Sequence, residues 1–274
     1  MINTIFVPTD FSEDADKALK YALELARKAK AKIIVFNSYE IPYSTSGMIV
    51  SVTDVLKEDA QRGIDDTLIK IKEWGYNDVQ TEGYIKSGGA IATITEQSVE
   101  KNADLIVMGT KGASGIQEVL IGSNTQGVIQ NSDIPVLAIP KTSQYKEIEK
   151  ITFAADYKEI DNFDTLNILK DFAKLYDAEI QILNVITKPE EKAKIQDAIE
   201  ALDLEEFLLD IKHEYYYEEN DDVVSGITGF VEQNSDMVAV YARKHGFLEK
   251  IFKKSVTNQL AFHSKKPLLA IKEK

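Results

Sequence analysis

The chain has 274 residues, 44% hydrophobic and 28% charged, a balance expected of two packed domains and not of a disordered chain. Its net charge of −13 opposes binding to phosphate backbones and acidic membrane surfaces, so no nucleic acid and no membrane is expected among its partners. It contains no cysteine, which removes disulfides, thiolate metal sites and cysteine nucleophiles. The opening MINTIFVPTDFSEDADK lacks a basic start and a long apolar core, so no signal peptide is expected. No stretch approaches the roughly 18 apolar residues of a membrane span, and a cytoplasmic location is the expectation.

Thr4 to Val7 reads as a short buried strand broken by Pro8. Ser12 is placed to cap a helix from Glu13 to about Lys30, in which Ala15, Leu19, Ala22, Leu23 and Ala26 recur at helical spacing. Lys32 to Ser38 is a second strand, and Tyr39 to Thr53 a longer connection. Asp54 to Trp74 reads as a helix stopped at Gly75, Val79 to Lys86 as a strand, and Ala90 to Lys101 as a helix. Leu105 to Met108 is a continuous apolar run, as for a strand buried on both faces, and Ile134 to Ile139 is the fifth strand. Strands alternating with helices imply a doubly wound α/β sandwich on a parallel sheet.

The stretch between the last two strands carries the chemistry. Gly109, Gly112 and Gly115 follow the fourth strand at once, and Gly122 precedes Ser123, Asn124 and Thr125. Glycines permit φ > 0 and let a backbone approach a ligand closely. Ser123 stands where a helix N-cap is expected, and a helix N-terminus offers free N–H donors and the positive end of a dipole, which suit an anion. The spacing is neither that of a P-loop nor that of a dinucleotide fingerprint. By themselves the glycines are equally compatible with ordinary surface turns.

With G-x2-G-x9-G-[ST] at Gly109, Gly112, Gly122 and Ser123, and Val7-Pro8-Thr9-Asp10 at the opening, the chain resembles the ATP-binding universal stress proteins. The resemblance covers the chain as two tandem copies, residues 1–141 and 149–274. It implies an adenine nucleotide α-hydrolase-like, Rossmann-like sandwich in each copy, five parallel strands in the order 3-2-1-4-5. Ligands bind such sheets beyond the strands' carboxyl ends, where the strand order switches. Carried across, Pro8, Thr9, Asp10 and Ser38 line the base pocket, with Asp10 accepting from the adenine amino group. Met108, Gly109, Gly112, Gly122, Ser123, Asn124 and Thr125 surround the rest of the nucleotide. By itself, Asp10 is also an ordinary residue for the start of a helix. Lys111 could reach a phosphate, although a solvated loop lysine is the commoner case.

A polar stretch, Lys141 to Lys150, separates the copies, and then the pattern restarts. Ile151 to Asp156 repeats Ile5 to Asp10, and Ile180 to Asn184 echoes Ile33 to Asn37. Asn102-Ala103-Asp104 matches Asn234-Ser235-Asp236, and Pro135 to Ile139 matches Pro267 to Ile271, both at an offset of 132 (236 − 104 and 267 − 135). That offset turns Gly109 into Tyr241, Gly112 into Lys244 and Gly122 into Lys254, and keeps only Ser255 and Thr257. The second copy should therefore have lost the phosphate loop. Arg243, Lys244, Lys250, Lys253 and Lys254 form a basic run, read first as a solvated face. The three histidines, His213, His245 and His263, lack metal-ligand spacing. Tyr215, Tyr216 and Tyr217 suggest packing more than base stacking.

The resemblance implies a regulatory, stress-response module that holds ATP, with or without Mg, in the first copy and turns it over slowly or not at all. It further implies pairing of the two domains within the chain through their last strands, a homodimer of chains, and an unidentified protein partner. Two alternatives stay open. One is a slow ATPase or related nucleotide-using enzyme, for which Asp14 and Asp16 are the nearby acids, though they read better as a helix start. The other is a binding module for a different small ligand, with Ile41 to Val52 as an apolar lid.

Overall fold

A computed structural model describes residues 1–41, 49–110, 122–154, 160, 163–187, 204–242 and 265–272. The chain divides into two compact units, the first ending at Lys141 and the second running from Thr142 to Lys274. Each unit is a parallel sheet with helices against it.

Unit 1 runs β1 (Thr4–Pro8), α1 (Glu13–Ala29), β2 (Lys32–Tyr39), α2 (Ile49–Glu73), β3 (Thr81–Ser87), α3 (Ala90–Glu100), β4 (Leu105–Gly109), α4 (Ser123–Asn131) and β5 (Val136–Ile139). Its strands lie in the order β3-β2-β1-β4-β5, all parallel. This is the doubly wound arrangement that the alternation of strand and helix requires. The order switches between β1 and β4, so the loops leaving these two strands diverge and open a crevice. The central strands are the driest part: Ile5, Phe6 and Val7, Ile33 and Val35, and Leu105, Ile106 and Val107 are all fully buried.

Local chemistry sets the helix ends. The Ser12 side chain accepts the Ala15 N–H at 3.2 Å and starts α1, while Lys30, at φ 57°, ends it by donating its N–H to the Ala26 carbonyl. Asp14 and Asp16 lie in the first turn of α1, where Asp14 pairs with Lys17 and Lys141 and Asp16 with Lys70. α2 begins at Ile49, five residues before the expected start. At α3 the chain turns through Gly88, φ 141°, a conformation suited to glycine, and Gly89 is the N-cap. Gly127 lets α4 close on α3, because a Cβ there would come within 2.3 Å of Ile91 Cδ1.

Unit 2 runs β6 (Lys150–Ala154), a 3₁₀ turn (Phe163–Leu166), α5 (Asn167–Tyr176), β7 (Glu179–Ile186), α6 (Leu204–Leu208), β8 (His213–Glu219), α7 (Val223–Asn234), β9 (Met237–Ala242) and β10 (Leu268–Lys272). Its order, β8-β7-β6-β9-β10, repeats that of unit 1, again parallel throughout. Of the three tyrosines of β8, Tyr216 packs its ring 5.1 Å from Phe230 and donates to Glu214, and burial pushes the Tyr215 phenol up. His213 meets Glu205 at 3.2 Å, and no group of three potential metal ligands occurs among the described residues. No described helix is long and apolar enough to cross a membrane.

Candidate functional site

The crevice of unit 1 holds a cavity of about 380 Å³ at the carboxyl ends of β1, β2 and β4. Ten of the eleven residues singled out from sequence line it: Pro8, Thr9, Asp10, Ser38, Met108, Gly109, Gly122, Ser123, Asn124 and Thr125. The eleventh, Gly112, lies outside the described residues, as do Lys111, Asp156, the basic run 243–254, His245, His263, Ser255 and Thr257. Most of the proposed lid, residues 42–48, also falls there.

At one end of the cavity, β1 turns into α1. The Thr9 N–H donates to the Phe36 carbonyl at 2.8 Å, the last backbone tie between the β1 and β2 segments. Thr9 Oγ1 then accepts the Phe11 N–H at 3.0 Å, and Asp10 Oδ1 accepts the Ser12 N–H at 3.1 Å. Phe11 takes a left-handed conformation, φ 62°, and lays its ring on Gly63 of α2, where a Cβ would come within 2.5 Å of the ring. These contacts fix the exposed Asp10 at the mouth.

At the other end, β4 hands over to α4. Gly122 donates its N–H to the Thr110 carbonyl, and the Thr125 hydroxyl donates to the Gly109 carbonyl at 2.7 Å. Thr110 is itself held by its N–H to the Ile139 carbonyl at 3.0 Å. The first turn of α4 is thereby fastened to the tip of β4. The N-cap differs from the expectation: it is Gly122, at φ −61° and ψ 152°, and Ser123 is the first helical residue. Gly122 has an ordinary extended φ, which any residue adopts, so no conformational freedom is called on here. The cap residue is a glycine and has no side chain to accept from this helix. The N–H groups of a helix's first turn have no partner within the helix and suit an anion.

Sequence reading missed the walls. Phe36, Ala15, Ile94 and Ala90 supply apolar surface, and Asn37 adds a buried polar group whose Nδ2 donates to the Thr9 carbonyl at 2.7 Å. The first four looked like core residues, and nothing in their spacing marks them otherwise. Asn37 did carry a signal: it is a polar residue of low strand preference at the end of the apolar run Ile33–Phe36. The site is thus a slot with dry walls, a hydrogen-bonding edge at the tips of β1 and β2, and a helix N-terminus facing the opposite end.

The family model for the universal stress protein family matches residues 1–140 and again 147–272. The chain belongs to the universal stress protein family. It is 33% identical over 141 residues to a universal stress protein of Methanocaldococcus jannaschii, covering 50% of this chain and 81% of that relative. A universal stress protein of Bacillus subtilis is 29% identical over 150 residues, covering 51% of this chain and 99% of that relative. A solved universal stress protein from Archaeoglobus fulgidus superposes with a TM-score of 0.71 at 22% identity, covering 99% of this chain and 96% of that one. That likeness bears on the fold alone. It spans both units, and the two family matches make the internal repeat a repeat of the family domain.

Proposed function

We propose that unit 1 binds an adenine nucleotide, ATP, and that the chain is a nucleotide-responsive regulatory module of the stress response with little or no turnover. One observation carries the reading: a single slot joins a hydrogen-bonding edge at Asp10 and Ser38 to the glycine-capped N-terminus of α4. A base suits the first end and a phosphate chain the second.

The edge favours adenine. Ile33 sends its N–H to Gln80 on the β3 side, whereas the Phe36 carbonyl accepts from Thr9 on the β1 side. Strand residues alternate, so Ser38, two after Phe36, turns both its N–H and its C=O toward β1. The β1–β2 register ends at Pro8↔Phe36, which leaves Ser38 beyond the last rung, at the cavity wall. Adenine presents a ring-nitrogen acceptor beside an amino donor, matching that N–H and C=O pair. Guanine presents the opposite order and mismatches at both atoms. Asp10 is placed to accept the second amino hydrogen. Phe36, Ile94 and Met108 supply the apolar surface that a base needs.

Unit 2 should hold no such ligand, because Tyr241 stands in β9 where Gly109 stands in β4. Calorimetry with ATP tests the reading: one site per chain is expected, with weaker binding of GTP. No binding of ATP, or two equal sites, would overturn it. Mass spectrometry of the protein as purified should find ATP or AMP at no more than one per chain.

A further inference from the structure

We propose that Asn37 is a positioning residue that holds the β1–β2 ladder open, so that the Ser38 main chain stays available to a base. The inference rests on the reading of unit 1 as an adenine-nucleotide site. It concerns how this chain prepares that site.

Parallel strands pair by a fixed alternation of donors and acceptors. After the Thr9 N–H has met the Phe36 carbonyl, the next bond in the pattern runs from the Ser38 N–H to the Thr9 carbonyl. The register stops before that rung, at Pro8↔Phe36. The Thr9 carbonyl is instead taken by the Asn37 side chain, whose Nδ2 lies 2.7 Å away. Both residues are buried, Thr9 at 7% exposure and Asn37 at 8%, so the Thr9 carbonyl needs a partner and this side chain supplies it. Asn37 thus does the work of the missing rung with a side chain, and the main-chain donor that would have made it is left at the cavity wall. Were Asn37 to lose its donor, the buried Thr9 carbonyl would need another, and the nearest in the strand pattern is the Ser38 N–H. The ladder would close by one step and the base would lose a partner.

The internal repeat supplies a control. Ala154 pairs with Leu183 as Pro8 pairs with Phe36, so Asn184 is the counterpart of Asn37. The carbonyl that Asn184 would face belongs to Ala155, outside the described residues.

The experiment compares the full chain with three variants, Asn37→Val, Asn37→Thr, which has the shape of the valine but keeps a hydroxyl donor, and Asn184→Val. ATP affinity is measured by calorimetry, and hydrogen exchange at the Ser38 amide is measured by NMR without nucleotide. Asn37→Val should weaken ATP about tenfold, the scale of one lost hydrogen bond, and should slow Ser38 exchange. Asn37→Thr should lie nearer wild type on both measures, and Asn184→Val should match it in affinity. Unchanged Ser38 exchange in Asn37→Val would overturn the proposal, even if affinity fell, because the loss would then be general loosening. Wild-type affinity in Asn37→Val would also overturn it. Failure of the wild-type chain to bind ATP would sink the reading of the site instead, and the exchange comparison would still decide what Asn37 does to the ladder.

Discussion

The two units share their foundations and differ at their rims. In unit 1 the Asp104 carboxylate accepts the N–H groups of Asn3 and Thr4 at 2.7 and 2.9 Å, fastening the start of β1 below β4. In unit 2 Asp236 does the same for Glu149 and Lys150 at 2.9 and 3.1 Å. Both first helices end on a left-handed residue, Lys30 and Asp177, at φ 57° and 52°. At the opposite end of the strands the likeness stops. Gly109 pairs with Ile139 in unit 1, and Tyr241 pairs with Ile271 in unit 2, the same rung of the same ladder. Gly109 borders a cavity, whereas Tyr241 is a buried side chain, 5% exposed. The lesson is that the amino ends of the strands keep the same ties in both units while the carboxyl ends differ. Glycine and tyrosine stand on the same rung with the ladder beneath unchanged.

The sharpest way to break this contrast is to make the rim of unit 1 resemble that of unit 2. Gly109→Tyr should cost ATP binding at least about 100-fold, some 2.7 kcal/mol, while the chain stays folded. Calorimetry beside a thermal melt checks it, and retained affinity would mean that the rim does not decide binding. The next effect lies in the shared foundation. Asp104→Ala and Asp236→Ala should each cost about 2 kcal/mol, because each strands two backbone donors, and neither should alter ATP affinity more than slightly.

The Asp236 pair also sharpens the contrast through pH. Burial pushes the Asp236 carboxyl up, but the Lys146 ammonium and the N–H groups of Glu149 and Lys150 outweigh it, and its pKa falls below the ordinary value. A lowered folded-state pKa stabilises the fold above the unfolded value, about 4, and that contribution is lost as pH falls through the folded value. Asp236→Asn should therefore destabilise at about pH 6 and matter progressively less as pH falls below about 4, as denaturant melts across that range would show. The smallest effect belongs to Lys146, whose side chain is 56% exposed. Lys146→Ala should cost less than about 1 kcal/mol in the same melts. A larger loss would mean that this carboxylate depends on the ion pair, unlike Asp104.

Much of this protein could be read without its coordinates. β1, β2 and β4 are short apolar runs between turn residues, so each emerged within a residue of its ends. The sheet edges were less clear: Val79 and Ile134, though apolar, precede β3 and β5 instead of opening them. The glycines by themselves were equally compatible with turns, and it was the family resemblance they carry that singled out Gly109 and Gly122, both of which line the cavity. The cap was displaced by one residue, because a serine after a glycine looks like a cap whether or not its side chain turns back. Only the fold could show that glycine is the cap and serine the first helical residue.

Sequence alone thus determined the repeat and the loss of glycine at Tyr241, because periodicity and spacing are properties of the chain itself. Tertiary structure alone decided that Phe36, Ile94 and Ala90 wall a slot, and that Asn37 spends its amide on the Thr9 carbonyl. Those facts depend on which distant residue arrives opposite, and a hydrophobic or polar letter carries no record of its neighbour across the sheet.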